Sequence, residues 1–560
     1  MRRHSNRPDN QSLAGVAMRP LHDFEMNSCK TVEVNHTEDA CPREVKNTLS
    51  PRSQKSLTEI LRRQPIRLCG RGSLQLYAIC LLVYLCSTMN GYDGSLMGSI
   101  NAVPSYTAYY GLPPEGNSST GIVFAIYQFG QMAGALFSWV MDWRGRRWPI
   151  FIGCTGVCVG AVVTAVAPTI PALIGGRFLL SFFSTFALVA APTYLIEISP
   201  PQYRGTLAGL YNTLYYLGSI LATSVVYGAE RRWNDATNFM SWRLSLWLQM
   251  ACPGIVAVFI WLCPESPRYL VAKGQSQEAR DIIAKLHANG DTFHPLVDLE
   301  MHEMHRAFQE DETMSWRTYL DVRDLFKSRS RRYRMMLNMT FAWFGQFSGN
   351  KLVILLSHLP RLVSFVGVHD PSTQLLLNII YAITGWIPAV AGARLSDIVG
   401  RRKMLLGVTI GMSSCLAIAA GTAANFVDSG SRPASVASII FIYLFGSIFA
   451  LAFTSMQPIY PGEVLSNDMR AKGMGVFQLT SGCAGFVNTF AAPVALNNIG
   501  YWFYVFFVFW DLFECVFIYF FYVETSKRTL EELDAIFEAP NPRKASTCKP
   551  RVQSADIPLA

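Results

Sequence analysis

Apolar residues in this chain gather into long uncharged blocks, without the short alternating runs of a soluble domain. No Asp, Glu, Lys or Arg occurs from Trp148 to Gly176, Gly205 to Ala229, Leu244 to Pro264, Pro433 to Gly462, or Gly473 to Trp510. About 20 apolar residues cross the hydrocarbon layer as a helix, so these blocks predict membrane spans. Apolar length and flanking charge together predict twelve of them. They run near 74–99, 120–141, 148–168, 171–196, 206–229 and 243–263, then 335–357, 372–394, 403–425, 435–460, 473–495 and 501–522. The polar stretch 264–334 mixes an amphipathic pattern at Gln275–His287 with a basic end at Lys327–Arg334, which predicts a cytosolic helical linker. Residues 1–73 are polar, lack an apolar stretch of signal-peptide type, and read as a disordered cytoplasmic tail. Residues 524–560 read as a short cytoplasmic C-terminal tail.

Composition agrees. Only 16% of the 560 residues are charged, against about 25% in a soluble domain. A soluble enzyme, a disordered protein and a small secreted domain are excluded. The 48 basic residues exceed the 39 acidic ones, but membrane topology explains this better than a nucleic-acid partner. Arg144, Arg146, Arg147, Arg204, Arg401, Arg402 and Lys403 cluster on one side, whereas the opposite loops hold only Arg231, Arg232, Arg361 and Arg432. By the positive-inside rule both termini are cytoplasmic. The sequon Asn117-Ser118-Ser119 then lies outside, with Asn117 as a glycosylation site, while Asn35 is inside and unusable. The 13 cysteines show no metal-ligand spacing, and neither a structural disulfide nor a metal is expected.

Three features recur in the two halves, separated by nearly the same length of chain. Asp142-Trp-Arg-Gly-Arg-Arg147 is echoed by Asp397-Ile-Val-Gly-Arg-Arg402. Glu197 with Arg204-Gly205 is echoed, at the same spacing, by Glu463 with Arg470-Ala471. Pro264-Glu265-Ser266-Pro267-Arg268 is echoed by Val523-Glu524-Thr525-Ser526-Lys527-Arg528. The chain therefore reads as all-α, two pseudo-symmetric six-helix halves, 74–263 and 335–523. Parallel duplication is the plan of carriers that rock around a midplane site. No filter loop suggests a channel, and no Gly-x-x-x-x-Gly-Lys-Ser/Thr suggests a nucleotide-driven pump. The repeated charges, Asp142, Arg146, Arg147, Glu197 and Arg204 with Asp397, Arg401, Arg402, Glu463 and Arg470, are expected to clamp the cytoplasmic side as a gate. They also anchor helix ends. Each exposed pair contributes only about 0–1 kcal/mol, so such a network is a reversible bias.

These motifs resemble those of the sugar porter family of the major facilitator superfamily, over about 74–538. Gly91-Tyr92-Asp93-Gly94-Ser95 and Tyr460-Pro461-Gly462-Glu463…Arg470-Ala471-Lys472-Gly473 are most similar to the fungal lactose and hexose permease branch. In both inner loops the family's first Arg is replaced, by Trp143 and Ile398. The resemblance implies the major facilitator fold and a plasma-membrane carrier, functional as a monomer. It would import a mono- or disaccharide with a proton by alternating access, with no enzymatic activity and no cofactor.

An ionisable residue inside a span needs a reason. Burial penalises the charged form of Asp93, and Arg177 would favour it, so the two together make a switchable proton-coupling site. Asp93 could also be a helix-capping or snorkelled carboxylate. The resemblance implies the coupling role, since symporters of the family carry an acid here. Asp511 and Glu514, three apart in the twelfth span, read as polar contacts to a neighbouring helix with no transport role.

A sugar needs amides for its hydroxyls and aromatic faces for its C–H side. The candidates by resemblance are Asn212, Gln346, Asn350 and Asn488, although a lone Asn also ties helices together, and Lys351 is a further candidate for its charge. Lys351 is a departure from the family, as are Leu355 and Leu356, where the fungal pattern has tyrosines, and Pro458, where many relatives have a pocket Trp. Lys351 could pair with Asp93, bind an acidic group on the solute, or face an aqueous vestibule. The rival readings are a carrier or exporter of a sugar acid or other non-sugar metabolite, and a non-transporting sugar sensor.

Overall fold

The computed structural model describes residues 70–112, 118–137, 144–201, 204–233, 238–309, 322–349, 371–429, 432–466, 469–526, 528 and 530–547. All lie in one compact unit, Glu44–Ala560. The N-terminal tail through residue 69, Asn117, Asp142, Asn350, Lys351, Leu355 and Leu356 fall outside the described residues, as does the side chain of Arg204.

No strand occurs among the described residues. The chain opens with α1 (Arg71–Asn101), a short α2 (Pro104–Tyr110), α3 (Ser118–Ala135), α4 (Arg147–Val166), α5 (Ile170–Ile198) and α6 (Arg204–Arg232). The next apolar block is split into α7 (Met240–Leu248) and α8 (Ala251–Phe259). The polar stretch forms α9 (Pro267–Ala272), α10 (Ser276–His287) and α11 (Pro295–Gln309). Then come α12 (Arg329–Phe347), α13 (Pro371–Val399), α14 (Arg401–Ser429), α15 (Arg432–Phe449), α16 (Ile459–Val464), α17 (Arg470–Ile499) and α18 (Trp502–Phe521). Two short helices close the described chain, α19 (Leu530–Glu538) and α20 (Pro542–Thr547).

Among the described residues eight helices are long and apolar enough to cross a membrane, fewer than the twelve expected. Two of the expected spans, 120–141 and 335–357, continue into residues outside the described ones. The expected spans outside that set fall on α3, α6, α12 and α17, which are helical but more polar. α12 starts with Arg329, Arg331, Arg332 and Arg334, α6 carries Asn212 and Thr213, and α17 carries Gln478 and Asn488. α3 packs on α17 and α6 packs on α13, so three of these four helices face protein from the other end of the chain. Their polar residues are spent on that interior.

The two largest apolar cores among the described residues are drawn from Leu76 to Leu286 and from Leu337 to Phe537. In the first, α1 crosses α6 at backbone distance. A Cβ on Gly91 would run into the Tyr215 carbonyl, and one on Gly218 into the Thr88 carbonyl. Overpacking such a contact costs about 1–3 kcal/mol. Gly218→Ala is therefore expected to lower the thermal unfolding midpoint of detergent-purified protein. Gly228→Ala, with nothing within 4 Å of the added Cβ, is expected to leave it unchanged.

Prolines inside apolar blocks set where backbone carbonyls become free, because Pro lacks the N–H that would bond the residue four before it. Pro253 frees the carbonyl of Gln249 and coincides with the break between α7 and α8. Pro388 frees that of Thr384, which accepts from Ser447 Oγ at 3.1 Å. Pro458 frees that of Thr454, at the end of a π-helical segment, Ala450–Thr454.

Candidate functional site

Asp93 sits in the C-terminal half of α1 and is 0% exposed. Its neighbours come from four elements. Gln249, at the break between α7 and α8, donates Nε2 to Asp93 Oδ1 at 2.5 Å. Asp93 Oδ2 and Gln249 Oε1 are buried without a hydrogen-bond partner. Arg177, near the start of α5, is also buried and lies over the ring of Tyr127, 5.0 Å from its centroid. Its Nε and Nη1 are likewise unsatisfied. Tyr127 of α3 donates its hydroxyl to Asn90 Oδ1 at 3.0 Å, one turn before Asp93. No ion pair joins Asp93 to Arg177 among the described residues. The acid and the cation share one interior but are held apart, each on a neutral partner. Unsatisfied buried groups of this kind are costly, and in a native protein they ask for an explanation. Gln249 and Asn90 were not singled out by sequence. The signal for Gln249 was Pro253, which breaks the helix beside it.

The repeated charges form two matching networks. In the first, Arg146 holds Glu197 in a bidentate pair, Nε to Oε2 at 3.1 Å and Nη2 to Oε1 at 2.9 Å. Ser266 Oγ also donates to Glu197. Glu265 Oε1 accepts the backbone N–H of Arg146 at 3.0 Å, and Arg147 Nη1 donates to the Cys263 carbonyl at 2.7 Å. In the second, Arg401 Nη2 bonds Glu463 Oε1 at 2.9 Å and Asp397 Oδ1 at 2.6 Å. Thr525 Oγ1 donates to Glu463 Oε2 at 2.6 Å. Glu524 accepts the backbone N–H groups of Arg401 and Arg402 at 2.9 and 3.2 Å, and Arg402 Nη2 donates to the Tyr519 carbonyl at 2.6 Å. Gly145 and Gly400 make both turns possible. Their φ values are +90° and +100°, where side chains are strained. A Cβ on either would lie 2.7 Å from an oxygen of Glu265 or Glu524.

Asp142 and the side chain of Arg204, which complete the expected cytoplasmic clamp, fall outside the described residues. Each described pair joins helices of one half: Arg146 to Glu197 and Glu265, Arg401 to Asp397, Glu463 and Glu524. Arg470 bonds the carbonyls of Gly462 and Leu465 at 3.2 and 3.3 Å.

Contact between the halves is made by amides, glycines and aromatic rings. Asn212 of α6 donates Nδ2 to the Thr454 carbonyl at 2.6 Å, and Gln457 Oε1 lies at 3.1 Å. Pro458 thus frees the carbonyl that Asn212 takes. Gly385 of α13 leaves room for Tyr216 of α6, where a Cβ would lie 2.5 Å from the ring. Trp386 packs beside Tyr216, and its Nε1 is buried without a partner. Tyr215 and Tyr381 complete a set of aromatic faces that the sequence reading did not find. Asn488 donates Nδ2 to the Gln346 carbonyl at 2.8 Å, so these two candidates meet, on α17 and α12.

The chain matches the family described as Sugar (and other) transporter over residues 79–537. It belongs to that family. The transporter is 24% identical to a quinate permease of Neurospora terricola over 485 residues, covering 83% of this chain and 89% of the relative. It is 25% identical to a high-affinity glucose transporter of Kluyveromyces lactis over 481 residues, covering 82% of this chain and 85% of the relative. Its fold matches a solved structure of the proton:xylose symporter XylE bound to 6-bromo-6-deoxy-D-glucose, with TM-score 0.71 and 20% identity, over 83% of this chain and 100% of that one. The sugar porter resemblance is borne out, and the protein is a multi-pass membrane transporter of the major facilitator superfamily, with relatives that are transporters and not enzymes.

Proposed function

We propose that the protein is a proton-coupled carrier that imports a neutral sugar across the plasma membrane by alternating access. In this reading it has twelve spans, both termini in the cytoplasm, a cytosolic linker at 264–334 and a glycan at Asn117. The observation that carries the proposal is Asp93, buried, bonded to one amide, and held beside Arg177 without pairing to it. Such a carboxyl can take a proton from one side and lose it when Arg177 approaches. Each proton moved inward gains about 2.3 kcal/mol per 100 mV. The glucose transporter among the relatives and the fold shared with a proton:xylose symporter support the same reading. The solute would lie where Asn212, Gln457 and the aromatic faces of Tyr216, Tyr381 and Trp386 meet, with Gln346, Asn350 and Asn488 from the second half. The two charge networks, Asp142 and Arg204 included, would make each half a rigid rocking body at its cytoplasmic end.

A second reading is a carrier of an acidic solute. It is favoured by Lys351 and by the quinate permease among the relatives. Uptake of a panel of hexoses, disaccharides and sugar acids in transport-deficient cells separates the two. Saturable uptake of a neutral sugar, unchanged in Lys351→Gly, supports the first. Uptake of acids alone, lost in Lys351→Gly, replaces it with the second.

A further inference from the structure

We infer that Asp511 and Glu514 of α18 form a second proton-binding site inside the membrane, hydrogen-bonded to the turn that ends α12. Sequence alone gave these acids a packing role. Their surroundings argue for more.

α18 has a lipid-exposed face bearing Phe506, Phe509, Phe513, Val516 and Phe520, and a buried face. The buried stripe runs Phe507, Asp511, Glu514, Ile518. Both acids are 0% exposed. Three residues apart on a helix, their side chains are neighbours. Both Asp511 oxygens are buried without a hydrogen-bond partner. Glu514 Oε1 accepts from Trp510 Nε1 at 2.5 Å. Ser348 Oγ lies 2.7 Å from Glu514 Oε1, 2.8 Å from Oε2, and 2.5 Å from the Phe344 carbonyl.

Hydrogen counting decides the state of Glu514. A serine hydroxyl has one hydrogen to give. With Glu514 ionised, Ser348 must choose between the Phe344 carbonyl and the carboxylate, which leaves a bare oxygen–oxygen contact. With a proton on Oε2 two hydrogens serve the three short contacts of Ser348, where the ionised form supplies one. Glu514 donates to Ser348, Ser348 donates to the Phe344 carbonyl, and Trp510 donates to Oε1. The alternative is two carboxylates side by side in a buried interior, which repel each other while Asp511 has no hydrogen-bond partner.

Among the described residues no cation reaches the pair. α14, packed along α18, carries Arg401, Arg402 and Lys403 at its start and Asp428 at its end. Arg402 is engaged at the Tyr519 carbonyl, five residues or about 7.5 Å of helix rise past Glu514. The last charge on α12 is Arg334, and α15 and α17 hold only Arg432, Arg470 and Lys472. The other titratable groups on these elements are Cys415, Cys483, Tyr443, Tyr504, Cys515 and Tyr519, with Tyr333 on α12 and Tyr522 just past α18. None of them hydrogen bonds either carboxyl. Lys351 lies outside the described residues.

Ser348 stands two residues from Gln346, whose carbonyl holds Asn488. Gain or loss of the Glu514 proton reverses the direction of the Ser348 hydrogen bond at the point where α12 ends. The site does not depend on coupling at Asp93 or on the identity of the solute.

The test is infrared spectroscopy of the full-length protein in lipid vesicles at neutral pH, reading the C=O stretch of protonated carboxyl groups. The band is expected in the wild type and in Asp93→Asn. It should lose intensity in Glu514→Gln, a neutral isostere that keeps both a donor and an acceptor. Ser348→Ala should shift the band to higher frequency, since the carboxyl O–H loses its acceptor. Equal band intensity in wild type, Glu514→Gln and Asp511→Asn would overturn the proposal. So would an unshifted band in Ser348→Ala, a variant small enough to fold if Glu514→Gln does not.

Discussion

Asp93→Asn is expected to abolish concentrative uptake while sparing exchange of solute across the membrane. Asn has nearly the same shape and keeps an acceptor for Gln249 Nε2, now 2.5 Å from Asp93 Oδ1. What it loses is the ability to bind and release a proton. A membrane potential of 100 mV offers about 2.3 kcal/mol per proton, or about 40-fold accumulation of a neutral solute. In the variant the accumulation ratio should fall to about one, because no proton-linked step remains. Counterflow in vesicles preloaded with solute should persist, because it needs the pocket and the rocking motion alone. Loss of counterflow together with accumulation would mean that Asp93 holds the fold and not the coupling.

The second large effect is expected at Arg146. Its guanidinium is bidentate on Glu197, with side-chain exposures of 13% and 10%. Arg146→Ala leaves that carboxylate nearly buried with only Ser266 as a donor. Removing one partner of a buried pair costs about 3–5 kcal/mol, and the residual exposure here places the loss at the lower end. Thermal unfolding in detergent should show a clear fall in midpoint. Arg146→Lys should restore little of it, since an ammonium cannot make the two parallel bonds. The mirrored change Arg401→Ala should cost less, because Glu463 and Asp397 are 24% and 41% exposed and water can take over part of the lost bonding. A midpoint unchanged in both variants would make these networks surface decoration.

Much of this was legible in sequence because membrane proteins separate their chemistry by position. The uncharged blocks gave the helices, and the repeats at Arg146–Glu197 and Arg401–Glu463 announced two equivalent networks. Sequence could not say which groups the repeated charges would reach, since that is decided by the positive-φ turns at Gly145 and Gly400. Those turns lead into α4 and α14, where the backbone N–H groups of Arg146 and Arg401 meet Glu265 and Glu524. The count of spans was blurred at α6 and α17, which carry polar residues such as Asn212 and Asn488 within their length. The binding centre was least legible. Asn212 was found by its resemblance to a family position, but its partner is a carbonyl freed by Pro458, a residue that the same resemblance read as a lost aromatic. Gln249 was missed for the same reason: its value comes from a helix break at Pro253 and not from a motif. Tyr216 and Trp386 lie on different halves, and nothing local in the sequence joins them.

The most direct measurement is solute uptake by purified protein in sealed vesicles with an imposed pH gradient and no other driving force. The account predicts transient accumulation of a neutral sugar above its external level when the outside is acidic, abolished by a protonophore and absent in Asp93→Asn. Accumulation that survives the protonophore, or that is unchanged in Asp93→Asn, would contradict it.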